Sequence, residues 1–179
     1  MTHSNPPPRA IKRSGTARLV LMGVAPFALT ACEQGQDALV YPNVEACIAG
    51  NVVTAAECRE SYDAARSADA SSAPRYANRA DCVADFGPEQ CGSAPHSSGF
   101  FMPFMSGFLV ARALDGGRHS SQPLYRPRTG DWNTGGGYNV GRQTGPVVVD
   151  QAATKPQRAI TQSRAGFGSR AAARGSWGG

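Results

Sequence analysis

The chain has 179 residues, with 21 Gly, 13 Pro and only 8% aromatic residues. That length holds one domain at most, and the composition argues against a two-domain enzyme and for a chain that packs only in part. The net charge of +5 is uneven: residues 1–31 carry four basic residues and no acid, residues 32–114 five basic against ten acidic, and residues 115–179 nine basic against three acidic.

Arg9, Lys12, Arg13 and Arg18 precede an apolar run at residues 19–31 (LVLMGVAPFALTA). A basic start followed by about a dozen apolar residues reads as a secretory signal, too short for a stable membrane span. The run closes on Leu29, Thr30, Ala31 and Cys32, the pattern of a bacterial lipobox. Its small residues admit the backbone to a peptidase beside a cysteine whose thiol carries diacylglycerol. The expectation is therefore a signal peptide over 1–31, lipidation at Cys32 and a tether over 32–39. Anchoring by more than one acyl chain is durable. Glu33 replaces the Asp that marks inner-membrane retention in enteric bacteria, which favours the outer membrane.

Lipidation of Cys32 leaves Cys47, Cys58, Cys82 and Cys91, an even set in an oxidising compartment. Their surroundings repeat. Tyr41, Asn43 and Cys47 share a Y-x-N-x-x-x-C pattern with Tyr76, Asn78 and Cys82, and a second Cys follows 11 residues on in one copy and 9 in the other. Each copy reads as a short helix, a turn and a second helix. Asn43 and Asn78 suit N-caps, Thr54 with Glu57 forms a capping box, and the Ala-rich stretch from Thr54 predicts a helix to about Ala70. The candidate core (Val40, Val44, Ile48, Val52, Val53, Tyr62, Val83, Phe86) is too small to hold some sixty residues unaided, so disulfides must supply the deficit. Four cysteines allow three connectivities; we favour Cys47–Cys58 and Cys82–Cys91, one bridge within each copy. With no C-x-x-C pair, a metal site is not expected.

Residues 100–114 (FFMPFMSGFLVARAL) are the most hydrophobic part of the mature chain. Pro103 suits the start of a helix of about twelve residues, roughly 18 Å long and too short to cross a bilayer. Apolar side chains surround such a helix, so it must be covered. Three covers stay open: the Cys-containing helices, the lipid interface beside the anchor, or a partner groove. Phe101, Phe104, Met105, Phe108 and Leu109 are the interaction candidates.

From Asp115 onward there are 13 Gly, 8 Arg and 4 Pro, with hardly any hydrophobic periodicity. Only residues 145–150 (GPVVVD) could make a short strand, without an obvious mate. Such a stretch predicts a disordered basic tail over 115–179. Its charge suits an anionic envelope polymer, lipid headgroups or an acidic partner; export argues against nucleic acid. Neither His96 nor His119 has metal-ligand spacing, no nucleophile sits in an elbow, and Gly135, Gly136 and Gly137 form a flexible run without the strand and helix of a phosphate loop. No enzyme, metal or cofactor is expected.

The residues so assembled resemble the YgiB family of bacterial envelope proteins. The matching stretches run from Lys12-Arg13-Ser14 and the lipobox through Ala56-Glu57-Cys58 and Pro74-Arg75-Tyr76-Ala77. They continue with residues 81–87 (DCVADFG), Gln90-Cys91, residues 97–103 (SSGFFMP), Gln122-Pro123-Leu124-Tyr125 and Gly166-Phe167-Gly168. The resemblance implies a lipoprotein-like group with no assigned activity, catalytic residues or cofactor. Some members are encoded near an ATP-grasp protein resembling glutathionylspermidine synthase, which points to an envelope system. The expected fold is mostly α: two short disulfide-stapled helix-turn-helix repeats and an apolar helix within residues 40–114, then the disordered tail. The expected function is that of a lipid-anchored envelope protein facing the periplasm, structural or accessory to another envelope component. The alternative is a small module binding a lipid- or polyamine-like ligand.

Overall fold

A computed structural model of the chain describes residues 35–95, 99–112, 119–162 and 166–167. The expected signal peptide and Cys32 lie outside the described residues. The first strand, β1 (Gly35–Tyr41), alternates in a period of two. Ala38 and Val40 point to one side, Leu39 and Tyr41 to the other. Its neighbours are β5 (Gly107–Arg112) and β9 (Gly145–Asp150), both antiparallel, with Val40 opposite Leu109 and Ala38 opposite Val147. Three further strands, β6 (His119–Tyr125), β7 (Trp132–Thr134) and β8 (Asn139–Gly141), complete an antiparallel sheet in the order β8-β7-β6-β5-β1-β9.

All six strands send side chains into one apolar cluster, among them Val40, Leu109, Leu124, Trp132, Val140 and Val149. A flat sheet would keep β8 and β9 at opposite edges. Here they touch, and the sheet is nearly closed around that interior.

Helices cover the outer face. α1 (Val44–Gly50) starts at Asn43, whose side chain accepts from the Ala46 N–H at 2.8 Å. α2 (Ala55–Ser72) starts at the Thr54–Glu57 capping box. It lies along β6, tied at one end by Glu57 to His119 and at the other by Asp69 to Tyr125. Beneath α1 and α2, Tyr41, Phe108 and Val110 pack with Cys47, Cys58 and Ala65. The Phe108 ring meets Tyr62 edge-on, centroids 5.6 Å apart.

A second, smaller layer is built from β2 (Arg75–Tyr76), α3 (Arg79–Phe86), β3 (Cys91–Ser93), β4 (Phe101–Pro103) and β10 (Thr161–Gln162), with sheet order β10-β2-β4-β3. Its core gathers Tyr76, Phe86, Met102, Tyr125 and Phe167. Cys47–Cys58 and Cys82–Cys91 are disulfides, one bridge within each copy of the repeat.

The expectation of a mostly α fold is overturned: strands dominate, and the described residues hold three α-helices. The predicted apolar helix at residues 100–114 is instead β4, a link, and β5, with residues 113–114 outside the described set. Its continuous hydrophobicity arises because β5 is buried on both faces. Phe108 and Val110 lie under the helices and Leu109 and Ala111 inside the sheet, so a strand displays no alternation. Within the region expected to be a disordered tail, residues 119–162 contain five strands, and β9 finds its mate in β1, more than a hundred residues earlier. The segment expected to be a tether already becomes strand at Gly35. Gly135 and Gly136 are not a loose run: a Cβ at 135 would collide with the Ser72 carbonyl oxygen and one at 136 with the Gln157 amide oxygen.

Candidate binding cleft

β1, β5, β6 and β9 meet at the end of the sheet marked by Tyr41. There the backbone approaches too closely for any side chain at 107. A Cβ would fall 2.7 Å from the Tyr41 carbonyl oxygen and 2.9 Å from Trp132 Cζ3. Gly107 thus lets the Trp132 indole close the end of the interior. Trp132 is buried, and its Nε1 has no hydrogen-bond partner among the described residues.

Over this floor lies an open recess of about 560 Å³, lined by Pro42, Gln90, Met105, Arg126, Trp132 and Thr144. Arg126 is exposed and sets its guanidinium 5.0 Å from the centroid of the Trp132 ring, a cation–π stack. Its Nε donates to the Gly130 carbonyl at 3.1 Å. The loop that carries it is well fixed. Gly130, at φ +90°, closes a turn onto the Pro127 carbonyl, the Arg128 N–H donates to the Asp85 carbonyl, and Arg142 bonds Asp131 Oδ1 at 2.8 Å. The opposite wall is the β4–β5 link. The Phe104 N–H donates to the Gln90 carbonyl at 2.8 Å, and its ring, 51% exposed, lies on Gly92, where a Cβ would meet it at 2.8 Å. Among the described lining residues Arg126 is the sole charge, so the recess can stack a flat group and pair an anion.

The interaction candidates separate. Phe104 stands in solvent beside the recess and Met105 lines it half-buried. Phe101 is half-buried in β4 opposite Tyr76 and Ser93. Phe108 and Leu109 are fully buried and offer nothing to a partner; full burial of such a side chain stabilises by about 1.5–3 kcal/mol. Arg126 and Trp132 were not among the interaction candidates; the sequence signal for them is that Tyr125, Trp132, Tyr138, Phe167 and Trp177 interleave with Arg in the presumed tail and could stack on rings.

Two other polar centres are structural. Asp85 in α3 accepts from the Tyr76 hydroxyl at 2.7 Å and from the Gly166 and Phe167 backbone N–H groups at 2.7–2.9 Å. The Phe167 ring, buried, then meets Phe86 at 5.4 Å. Asp69 accepts from the Tyr125 hydroxyl at 2.6 Å; burial raises its pKa above the ordinary value, partly opposed by that hydrogen bond. Among the described residues no three His, Cys, Asp or Glu side chains could together hold a metal ion, and no helix is long and apolar enough to cross a membrane.

Residues 35–178 match a family model described as a protein of unknown function (DUF1190). The chain is 35% identical over 165 residues to a UPF0441 protein of Sodalis glossinidius, covering 80% of this chain and 76% of that protein. It is 33% identical over 188 residues to a UPF0441 protein of Erwinia tasmaniensis, covering 89% of this chain and 84% of that one. No solved structure matches.

Proposed function

From the premise that the chain belongs to the YgiB (DUF1190) family of proteins of unknown function, we propose that it is a lipid-anchored envelope protein with an accessory, non-enzymatic role. In this reading the two bridged copies and the nearly closed sheet form a rigid body, and the recess around Trp132 and Arg126 receives part of another envelope component. The observation that carries the reading is the pair of disulfides in a domain that starts three residues after the lipobox cysteine. Structural disulfides belong to oxidising compartments, and a lipobox there provides the anchor. The anionic groups that suit Arg126 include a partner carboxylate, an envelope phosphate or an acidic polymer. A polyamine-like ligand fits less well, since no acidic side chain is among the described lining residues.

Photo-crosslinking in cells from a reactive residue at Thr144 tests the partner. One dominant envelope protein, lost in Arg126→Ala, is the expected result. Equal recovery with and without Arg126 would remove the recess from the reading. Mass spectrometry of the non-reduced mature protein should find Cys32 acylated and the other four cysteines paired.

A further inference from the structure

The topology also orients the domain on its anchor, an inference that rests on lipidation of Cys32 as proposed above. Cys32 precedes Gly35, the first residue of β1, by three residues. That span is about 10 Å at full extension. β1 then carries the chain about 20 Å away, to Tyr41 and the recess. The Gly35 end of the sheet is therefore held at the bilayer surface, and the recess lies at the opposite end.

The anchored end exposes apolar side chains that the fold does not use. Val148 in β9 is 71% exposed, stands opposite Asp37, and lies directly over the start of β1: a Cβ at Gly35 would fall 2.5 Å from its Cγ1. The turn before α2 exposes Val52 at 56%, and the Glu57–His119 contact fixes that end of α2 beside the start of β6, at the same end of the sheet. Among the described residues, exposed Asp37, Asp150 and Lys155 give this end mixed charge.

We infer that this end of the domain seats on the phospholipid bilayer, with Val148 and Val52 in the interfacial layer and the Trp132–Arg126 recess facing away from the membrane. The acyl chains supply the attachment; the two valines remove the freedom of the domain to swing about a three-residue link.

The test uses the full acylated chain in phosphatidylcholine vesicles, with one nitroxide at Val148→Cys, Val52→Cys or Thr144→Cys. The four native thiols downstream of Cys32 are bridged, so only the introduced one reacts. Collision with lipid-soluble oxygen, relative to a water-soluble nickel chelate, should be several-fold higher at 148 and 52 than at 144. The contrast should vanish in the Cys32→Ser chain. Equal aqueous values at all three positions, with Cys32 shown by mass spectrometry to be acylated, would overturn the seating and leave the anchor standing. Contact at 148 alone would overturn the two-point seating. An unmodified Cys32 thiol would overturn the anchor reading and this inference with it.

Discussion

The two copies of the Y-x-N-x-x-x-C repeat begin alike and end differently. In each, a buried tyrosine closes a strand (Tyr41 in β1, Tyr76 in β2), an asparagine precedes a short helix, and that helix carries the first cysteine. In the first copy the partner cysteine lies in α2. In the second it opens strand β3. The residues before it decide. Thr54 and Glu57 cap a helix that the Ala-rich sequence then propagates, whereas Gly87 at φ +97° and Pro88 allow one 3-10 turn before Cys91 pairs with Pro103. The shared motif thus specifies a bridge to the next element of the chain, and the type of that element, helix or strand, sets the layer.

Removing the bridges is the strongest way to break this comparison. Each closes a loop of about ten residues, so Cys47→Ser with Cys58→Ser, or Cys82→Ser with Cys91→Ser, should each cost about 2.5–3 kcal/mol in urea unfolding. The copies should then diverge. In the first variant α1 and α2 remain packed on the large sheet through Ala65, Tyr62, Phe108 and Val110, while in the second the small layer loses its link between α3 and β3. Amide exchange in α3 and β3 should rise far more in the second variant than exchange in α1 does in the first. Equal protection loss would deny that the layers differ in their dependence on a bridge.

The tyrosines sharpen the contrast at smaller magnitude. Tyr76 donates to Asp85, while the Tyr41 hydroxyl is buried with no partner among the described residues. Burial, first of all, raises both pKa values, so both hydroxyls stay neutral in ordinary buffers. Tyr76→Phe should cost about 1.5 kcal/mol, the lower range for a hydrogen bond to a charged group, because Asp85 keeps the Gly166 and Phe167 N–H groups. Tyr41→Phe removes an unsatisfied group and should leave the unfolding midpoint unchanged or higher. A midpoint drop in Tyr41→Phe as large as in Tyr76→Phe would mean the first hydroxyl has a partner.

The same two copies explain what the sequence could and could not disclose. Helices α1 and α2 were legible because their caps are local, and α3 through the cysteine spacing it shares with α1, although Asn78 makes no side-chain cap there and the second helix expected in that copy is a 3-10 turn and strand β3. The large sheet was not. β5 hides its alternation by burial on both faces, β6 reads HSSQPLY with a proline inside, and β7 and β8 are three residues each. Their pairing is non-local, and no window of residues displays it. Of the recess, Met105 stood out as apolar, but Trp132 and Arg126 join it only through the pairing of β5, β6 and β7. The family stretches 81–87 and Gly166-Phe167-Gly168 lie eighty residues apart, and only the fold shows Asp85 holding the Gly166 and Phe167 backbone.

The smallest effect is a titration confined to the first copy. Glu57 receives the Thr54 backbone N–H at 2.7 Å, then the Thr54 hydroxyl, and lies 3.0 Å from His119; together these hold its carboxyl at about 2, below its ordinary 4.5. A depressed carboxyl stabilises the fold above its ordinary pKa, and that contribution fades as pH falls from 4.5 through about 2. Glu57 is solvent-accessible, so the effect belongs to the first turn of α2 rather than to the whole domain. At pH 5, Glu57→Ala should speed amide exchange in that first turn several-fold, and the difference from wild type should close as pH approaches 2. Exchange around Cys82 and Cys91 should not respond, since the turn before Cys91 has no side-chain cap. A difference in α2 that stays constant from pH 5 to 2 would show that the alanine acts through lost packing, not through the ionised cap that separates the first copy from the second.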